Sequence, residues 1–284
     1  MPFLRYITLE KPVGETPLET LSVWKSAHPE YAGMPASYAG RLDPMASGKL
    51  LILLGDECKR RDAYTGLDKE YEIEVVLGAA TDTGDALGRA ELKSPLPINA
   101  TQSHLSERAI LKALRALSGT HHVPYPAFSS KTVNGKPLFQ YALEGTLDSI
   151  SIPEHDETVY RAQLLKTQQL DASALHARIR KLLAHAPHSD DPRKTLGADF
   201  RQDEIRARWE KLLTHGAFTV LTLRISCASG TYMRTFAARL GAALGTSGFA
   251  LSIHRTRIGR YVPLGPLGFW RMQFLTNTSD RGSP

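Results

Sequence analysis

The sequence predicts an α+β fold with a mixed, largely antiparallel sheet flanked by helices and loops. Two segments, 71–77 and 219–227, alternate apolar and polar residues, as strands with one buried face do. Two others, 103–117 and the stretch after Gly230, carry apolar residues at helical spacing. Strands and helices follow one another without strict βαβ alternation and without internal repeats, which favours the α+β class.

The composition is that of an ordinary globular protein. The 284 residues, 42% hydrophobic and 23% charged, are enough to bury a full core. Two cysteines, Cys58 and Cys227, allow one disulfide bond at most, which argues against a disulfide scaffold and fits a reducing compartment. No apolar run approaches the roughly 20 residues that cross a bilayer, and the N-terminal residues do not resemble a secretory signal. We therefore expect a cytoplasmic protein without membrane contact.

Local signals place several further elements. Residues 16–27 predict a helix with Thr16 as its N-cap. The apolar run 50–54 is consistent with either a buried strand or a short helix, because its periodicity does not decide. For the helix over 103–117, Ser103 is the expected N-cap.

The stretch 171–215 differs in character from its surroundings. It is polar, rich in helix-forming residues and, apart from Gly197, free of glycine. We interpret it as a pair of helices inserted at the surface and separated near residues 185–194. The residues from 263 onward lack a periodic pattern, so they predict a short C-terminal tail.

Common cofactor and metal motifs are missing from the sequence. It contains no phosphate-binding G-x-x-x-x-G-K-[ST], no dinucleotide-binding G-x-G-x-x-G and no zinc-binding H-E-x-x-H. The pairs His121-His122 and His185/His188 have no cysteine or carboxylate at a metal-ligand spacing, so we interpret them as solvated histidines. The sequence therefore predicts neither a cofactor nor a metal site.

Asp43 is the first candidate for chemistry. It lies between a leucine and a proline in a loop framed by Gly40 and Gly48. Pro44 favours an extended backbone at Asp43, and the glycines permit tight turns on either side, so the loop can hold a carboxylate for nucleophilic attack. The alternative is a plain Asp-Pro turn, which local chemistry alone favours.

Two more residues are candidates for roles beyond packing. Arg234 falls in the first turn of a predicted helix, where a cation opposes the helix dipole, so an anionic partner is expected; an exposed, unpaired arginine is the alternative. Tyr71 opens a predicted strand on its apolar face, so its ring should be buried. A core tyrosine is the default interpretation of that pattern.

The charge distribution permits a nucleic-acid partner. The 35 Lys and Arg against 29 Asp and Glu leave a net charge of +6. Basic residues recur near Asp43 and near residue 255, with aromatic residues between them, as on surfaces that bind phosphates and stack on bases. A solvated basic face is the alternative. The candidate RNA contacts are Tyr38, Arg41, Lys69, Lys131, Arg255 and Arg257.

Taken in order along the chain, these segments resemble the TruB family of tRNA pseudouridine synthases. The ordered set covers most of residues 7–261 apart from 171–215, and it is far more specific than any one of its pieces. It consists of Lys11-Pro12-x-Gly14, Gly40-Arg41-Leu42-Asp43-Pro44-x-Ala46-Ser47-Gly48, Lys69-Glu70-Tyr71, Thr81-Asp82-Thr83-x-Asp85, Val133-Asn134-Gly135-Lys136, Ser229-Gly230-Thr231-Tyr232-x-Arg234-Thr235 and Arg255-Thr256-Arg257-Ile258-Gly259.

The resemblance implies a pseudouridine synthase fold and a cofactor-free reaction on uridine-55 in the T-loop of tRNA. It implies that Asp43 is the nucleophile and that Arg234 pairs with it. Tyr71 would stack on the target base and take part in proton removal from C5. The uracil has to leave its stack and enter the site by base flipping. We expect the protein to act as a monomer on the tRNA T stem-loop.

The chain departs from the family pattern at several points. Tyr38 stands where many members have a histidine that splays the target loop, and Thr132 stands where a lysine is common. We expect a catalytic domain over 1–262 and a tail over 263–284, with no complete RNA-binding module of PUA type. The alternatives are a pseudouridine synthase for another RNA, a non-catalytic RNA-binding or tRNA-folding protein of the same fold and, more distantly, a carboxylate glycosidase.

Overall fold

The computed structural model describes residues 4–91, 105–186, 201–212, 216–265 and 267–274. Short 3₁₀ turns lie at Pro29–Tyr31, Gly55–Arg60 and Leu147–Ser149. The helices are α1 (Pro17–Ala27), α2 (Arg61–Thr65), α3 (Glu107–Ala116), α4 (Leu138–Glu144), α5 (Ala172–Ala184), α6 (Gln202–Leu212) and α7 (Met233–Ala243). The strands are β1 (Tyr6–Lys11), β2 (Ala36–Ala39), β3 (Ser47–Leu54), β4 (Asp68–Leu77), β5 (Ala80–Thr81), β6 (Ala90–Glu91), β7 (Gly119–Pro124), β8 (Thr132–Val133), β9 (Lys136–Pro137), β10 (Glu154–Asp171), β11 (Ala217–Cys227), β12 (Gly248–Leu264) and β13 (Leu267–Gln273).

Within the described ranges, nine strands form one sheet. Seven of them follow the order β1-β3-β12-β4-β11-β10-β7, while β2 pairs with β3 and β13 pairs with β12. The pairings are antiparallel except that of β3 with β12, which is parallel. The predicted α+β class with a largely antiparallel sheet is therefore confirmed.

The central sheet carries a core on each of its faces. Tyr71, Ile73, Val75 and Leu77 lie in one cluster, as their alternation predicted, together with buried residues of β11, α3 and α7. The opposite face carries Val76 and buried residues of β12, α5 and α6. The sheet thus separates two helical layers, α3 with α7 and α5 with α6.

Several local predictions are confirmed and one is refined. Thr16 caps α1 and forms a capping box with Glu19, because each accepts from the other's backbone N–H. The run 50–54 is a strand, since it lies inside β3 between β1 and β12. Helix α3 begins later than predicted, because Ser106 is its N-cap and accepts from the backbone of Ala109, whereas Ser103 lies outside the described residues.

Two helices lie in the segment 171–215, as predicted, but only part of their surface is exposed. The pair α5 and α6, called the helical pair below, buries Leu175, Ile179, Ile205 and Trp209 against the sheet. Its remaining faces are exposed. The helical pair is therefore part of the second core, because its apolar side chains cover a sheet face that would otherwise meet water.

The predicted C-terminal tail includes regular structure. Strand β12 runs to Leu264, and β13 folds back on it as a hairpin through residue 273. The segment lacks apolar–polar alternation because apolar residues, among them Leu267 and Phe269, also occupy exposed positions of this hairpin. Residues 275–284 lie outside the described residues.

Substitution of Trp209 tests the contribution of the core between the sheet and the helical pair. Trp209 is fully buried, contacts the ring of Phe249 at a centroid distance of 5.2 Å, and donates from Nε1 to the Ala86 carbonyl at 3.2 Å. Trp209→Ala should lower the free energy of unfolding by about 3–5 kcal/mol, because it leaves a cavity and an unpaired carbonyl. Urea unfolding measures the loss. Arg208→Ala, at an exposed neighbour, should change it by less than about 0.5 kcal/mol; equal losses would contradict a core role for Trp209.

Candidate active site

Asp43 lies in a tight turn between β2 and β3. The Ala46 N–H donates to the Asp43 carbonyl at 2.9 Å, so an Asp-Pro turn is present. Gly48 has a φ of +105°, and a side chain there would place its Cβ 2.3 Å from the Arg255 carbonyl oxygen. This position therefore requires glycine. The turn and the proposed nucleophile are compatible, because the turn fixes the backbone while the Asp43 carboxylate stays available.

Lys11 ties this turn to the end of β1. Its side chain is fully buried, and Nζ donates to the carbonyls of Pro12 at 2.8 Å, Pro44 at 3.3 Å and Ala46 at 2.6 Å. Burial lowers the pKa of Lys11 to about 8. The ammonium thus donates to the Pro12 carbonyl and to two carbonyls of the Asp43 turn, which accounts for the lysine of K-P-x-G in the motif set.

Arg255 holds the other side of the turn. It is fully buried on β12, and its guanidinium donates to the carbonyls of Lys49 at 2.7 Å, Arg41 at 3.3 Å and Gly40 at 3.2 Å. One side chain therefore fixes the backbone on both sides of Asp43. Sequence reasoning missed this role, because an arginine in a basic cluster gives no sign that its partners are carbonyl groups.

The Asp43 carboxylate pairs with Arg234. An anionic partner for this arginine was expected from the sequence. Arg234 Nε donates to Asp43 Oδ2 at 2.8 Å. Its other two nitrogens donate to the carbonyls of Thr83 at 2.9 Å and Phe128 at 3.0 Å. The Arg234 side chain is 5% exposed, whereas that of Asp43 is 44% exposed. The guanidinium is thus fixed from behind, and its partner carboxylate faces accessible space.

A second carboxylate, that of Asp85, lies on the same guanidinium. Asp85 Oδ2 is 3.7 Å from Arg234 Nε, while Oδ1 accepts from the Thr83 hydroxyl at 2.7 Å and from the Leu87 N–H at 3.0 Å. Burial raises the pKa of Asp85, and Arg234 opposes that shift. The T-D-T-x-D motif includes this residue, but no role for it could be predicted from the sequence.

The charge of Arg234 is maintained despite its burial. Burial by itself lowers the pKa of a guanidinium, but the carboxylates of Asp43 and Asp85 outweigh it, so the pKa of Arg234 lies above its usual value. Arg234 therefore remains a cation next to Asp43 at every pH at which the protein is folded.

Tyr71 is buried in the same core cluster that holds the neighbours of the ion pair. Leu42 precedes Asp43, Met233 precedes Arg234, and both share the cluster with Tyr71. The buried tyrosine ring is therefore as predicted. Burial raises the pKa of the Tyr71 phenol, so it is neutral at physiological pH.

The predicted RNA contacts divide into exposed and buried groups. Arg41, Lys131 and Arg257 are exposed. Lys131 Nζ lies 4.9 Å from the Tyr125 ring centroid, and Arg257 Nε lies 3.3 Å from a Glu70 carboxylate oxygen. Tyr38 is half-buried. These four residues have surface that RNA can reach.

Lys69 and Arg255, also predicted as RNA contacts, are buried. Lys69 is buried and donates to the Thr65 carbonyl at 2.7 Å and the Ser229 hydroxyl at 3.0 Å. Burial lowers its pKa to about 8. Arg255 has no accessible surface, because its guanidinium holds the Asp43 turn. Both cations are bonded to groups beneath the site, and their burial argues against a direct phosphate contact.

The described residues offer no metal site and no membrane-spanning helix. They contain no group of three or more His, Cys, Asp or Glu side chains arranged to hold a metal ion. None of their helices has the length and apolar character needed to cross a membrane. Cys58 and Cys227 are both free thiols.

The sequence matches relatives with a stated activity. Over 255 residues it is 29% identical to tRNA pseudouridine synthase B of Aromatoleum aromaticum, covering 90% of this chain and 63% of the relative. Over 256 residues it is 26% identical to tRNA pseudouridine synthase B of Thermobifida fusca, covering 90% of this chain and 69% of the relative. The chain thus spans about two thirds of the length of these relatives.

The fold matches a solved structure. A crystal structure of a Cbf5-Nop10-Gar1 complex superposes with a TM-score of 0.51 at 17% identity, covering 89% of this chain and 48% of that chain. The expected pseudouridine synthase fold is thereby confirmed. The family model for the N-terminal domain of TruB family pseudouridylate synthases matches residues 33–181, just over half of the chain and including both Asp43 and Tyr71. The protein therefore belongs to the TruB family.

Proposed function

We propose that the protein isomerises uridine-55 in the T-loop of tRNA to pseudouridine, with Asp43 as nucleophile. The observation that carries this proposal is the 2.8 Å contact between the accessible Asp43 carboxylate and the buried Arg234 guanidinium. The names of the relatives and the family membership support the reaction and the substrate.

The chemistry needs a carboxylate that stays charged when water is excluded. In the reaction the C1′–N1 bond breaks, the uracil rotates, and a C1′–C5 bond forms while C5 loses a proton and N1 gains one. Substrate and product are isomers, so no other reactant enters the balance. Covalent attack by Asp43 divides this change into easier steps, and the Arg234 guanidinium supplies a positive charge beside the Asp43 carboxylate.

Tyr71 is proposed to contact the flipped base. Its ring belongs to the core cluster beside Asp43 and Arg234, which supports stacking on the uracil. Its phenol is neutral in the free protein because burial raises its pKa. If Tyr71 removes the proton from C5, its neutral phenol therefore has to give up its own hydroxyl proton as it accepts the proton from C5.

Four surface residues are proposed to bind the T stem-loop. Arg41 lies two residues from the nucleophile and is exposed, so it is placed to meet a phosphate near the target nucleotide. Lys131 and Arg257 offer further positive charge, and Tyr38 offers a half-buried ring for stacking. We also propose that the protein acts as a monomer in the cytoplasm, in line with its two free thiols.

The Asp43→Asn variant tests the nucleophile. The amide has the shape of the carboxylate but cannot form the covalent intermediate, so conversion should fall roughly a thousandfold or more. Tritium release from a T stem-loop transcript labelled at uridine C5 measures it, with nuclease mapping of the product position. RNA affinity should stay within about twofold. Conversion within tenfold of wild type would remove Asp43 from this role, and conversion at another uridine would point to a different RNA target.

The Arg234→Lys variant tests the guanidinium fork. Lysine keeps the charge, but one ammonium cannot reach Asp43, Thr83 and Phe128 in the planar geometry of arginine. The single-turnover rate at saturating RNA should fall about a hundredfold. Arg239→Lys is the matched control on α7, because Arg239 lies 3.5 Å from Glu157, which is not an acceptor of Arg234. Similar rates for Arg234→Lys and wild type would exclude the fork as a catalytic requirement.

The Arg41→Gln variant tests the RNA surface. Loss of one phosphate contact should weaken binding at low salt and reduce the slope of log affinity against log salt by about one, without changing the rate at saturating RNA. Filter binding across a salt series measures it. Arg115→Gln, an exposed arginine of α3, controls for net charge. If both variants weakened binding equally, Arg41 would have no specific contact.

A further inference from the structure

The orientation of Arg234 depends on two carbonyl groups in irregular backbone. The acceptors are the carbonyls of Thr83 and Phe128, and neither residue lies in a helix or strand. Backbone without a ladder of hydrogen bonds has to be fixed by other contacts if it is to hold a side chain in one pose. The contacts that fix these two segments therefore decide how the guanidinium meets Asp43.

Arg201, at the start of α6, contacts both segments. Its Nη1 lies 2.8 Å from Asp82 Oδ2, and Asp82 directly precedes Thr83. Its guanidinium carbon lies 5.0 Å from the centroid of the Phe128 ring, within cation–π range. The Arg201 side chain is 18% exposed, so these contacts are largely shielded from water. One side chain thus reaches a neighbour of the first acceptor and the ring of the second.

Helix α6 also holds the rest of the loop that contains Thr83. Arg89 donates through its backbone N–H and its Nε to the Asp82 carboxylate, and its Nη1 lies 3.5 Å from Glu204 of α6. Further along the same helix, Trp209 donates to the Ala86 carbonyl at 3.2 Å. The loop is therefore fixed to α6 at three successive points.

The same loop packs directly on Arg234. A Cβ added at Gly84 would lie 3.2 Å from both the Cβ and the carbonyl oxygen of Arg234, so the backbones are in close contact. A shift of the loop would move both the Thr83 carbonyl and the surface against which Arg234 rests. Since packed interiors transmit such shifts, the helical pair is mechanically connected to the ion pair.

We infer that Arg201 is a positioning residue that links the helical pair to the Asp43–Arg234 ion pair by fixing the segments that carry the Thr83 and Phe128 carbonyls. It does not touch Asp43 or the reacting atoms. Its role is to keep the Arg234 fork aligned, and the helical pair is thereby a part of the catalytic apparatus as well as a cover for the sheet. The kinetic consequence rests on the proposed function, whereas the structural consequence does not.

The structural consequence is tested on Arg234 itself. Nuclear magnetic resonance on protein with isotope-labelled arginine detects the Arg234 Nε–H, assigned by its loss in Arg234→Lys. In Arg201→Gln this proton should exchange with solvent at least about tenfold faster, because the two carbonyl acceptors are no longer fixed. Arg206→Gln, at an exposed arginine of α6 that contacts Gln202 of the same helix, should leave the exchange unchanged. Unchanged exchange in a folded Arg201→Gln protein would overturn the inference, whatever the protein's activity.

The kinetic consequence is tested by single-turnover conversion of the T stem-loop. Arg201→Gln should lower the rate at saturating RNA about tenfold or more, with RNA affinity within about twofold, in protein that remains folded at the assay temperature. Arg201→Lys, which keeps the charge for Asp82, should recover part of the rate. In an Arg234→Lys background, Arg201→Gln should cause little further loss, because the fork it aligns is already gone. Additive losses would overturn the inference, and a wild-type protein without conversion would instead refute the proposed function.

If Arg201→Gln did not fold, Asp82→Asn would serve in its place. This variant removes the charge that Arg201 contacts while leaving the α6 sequence intact. It should accelerate exchange of the Arg234 Nε–H in the same direction as Arg201→Gln. A folded Asp82→Asn protein with wild-type exchange and rate would overturn the inference.

Discussion

One buried guanidinium sets the geometry of the candidate active site. Arg234 donates to the Asp43 carboxylate and to two backbone carbonyls, so each of its nitrogens has an acceptor. A charge so far from water is tolerated only where its partners are in place, and removing any of them leaves a costly imbalance. The Asp43 turn, the loop from Thr81 to Arg89 and the segment around Phe128 therefore have to fold together for the site to exist.

Two buried cations beneath the site, Lys11 and Arg255, hold the backbone in place through hydrogen bonds to carbonyl groups. Lys11 and Arg255 donate to five different residues of the Asp43 turn and its flanks besides Pro12, and both are fully buried. Carbonyl oxygens accept hydrogen bonds from these side chains without carrying a full negative charge, so Arg255 keeps its positive charge near Asp43. The same basic residues thus shape the turn and place positive charge near the carboxylate that it carries.

The helical pair gives the second face of the sheet a core and reaches the site through the loop that it contacts. Its buried side chains lie in one cluster with residues of β4, β11 and β12. Arg201, Glu204 and Trp209 then extend this packing to the loop behind Arg234. Stability and site geometry are therefore coupled on this side of the molecule, since the same helices support both.

Hydrophobic periodicity, capping residues and ordered motifs are local signals, so they can be recognised in the sequence. They predicted the α+β class, the strands around Tyr71 and Leu223, the capped helix α1 and the candidate nucleophile Asp43. The sequence could not predict which groups the charged side chains contact. Arg41 and Arg255 look alike as basic residues, yet one is exposed and the other fully buried. The sequence by itself determined which residues could do the chemistry. Only the tertiary structure decided which cations are exposed, which bind backbone carbonyl groups and that Arg201 contacts the supports of Arg234, because those partners are brought together by packing across distant parts of the chain.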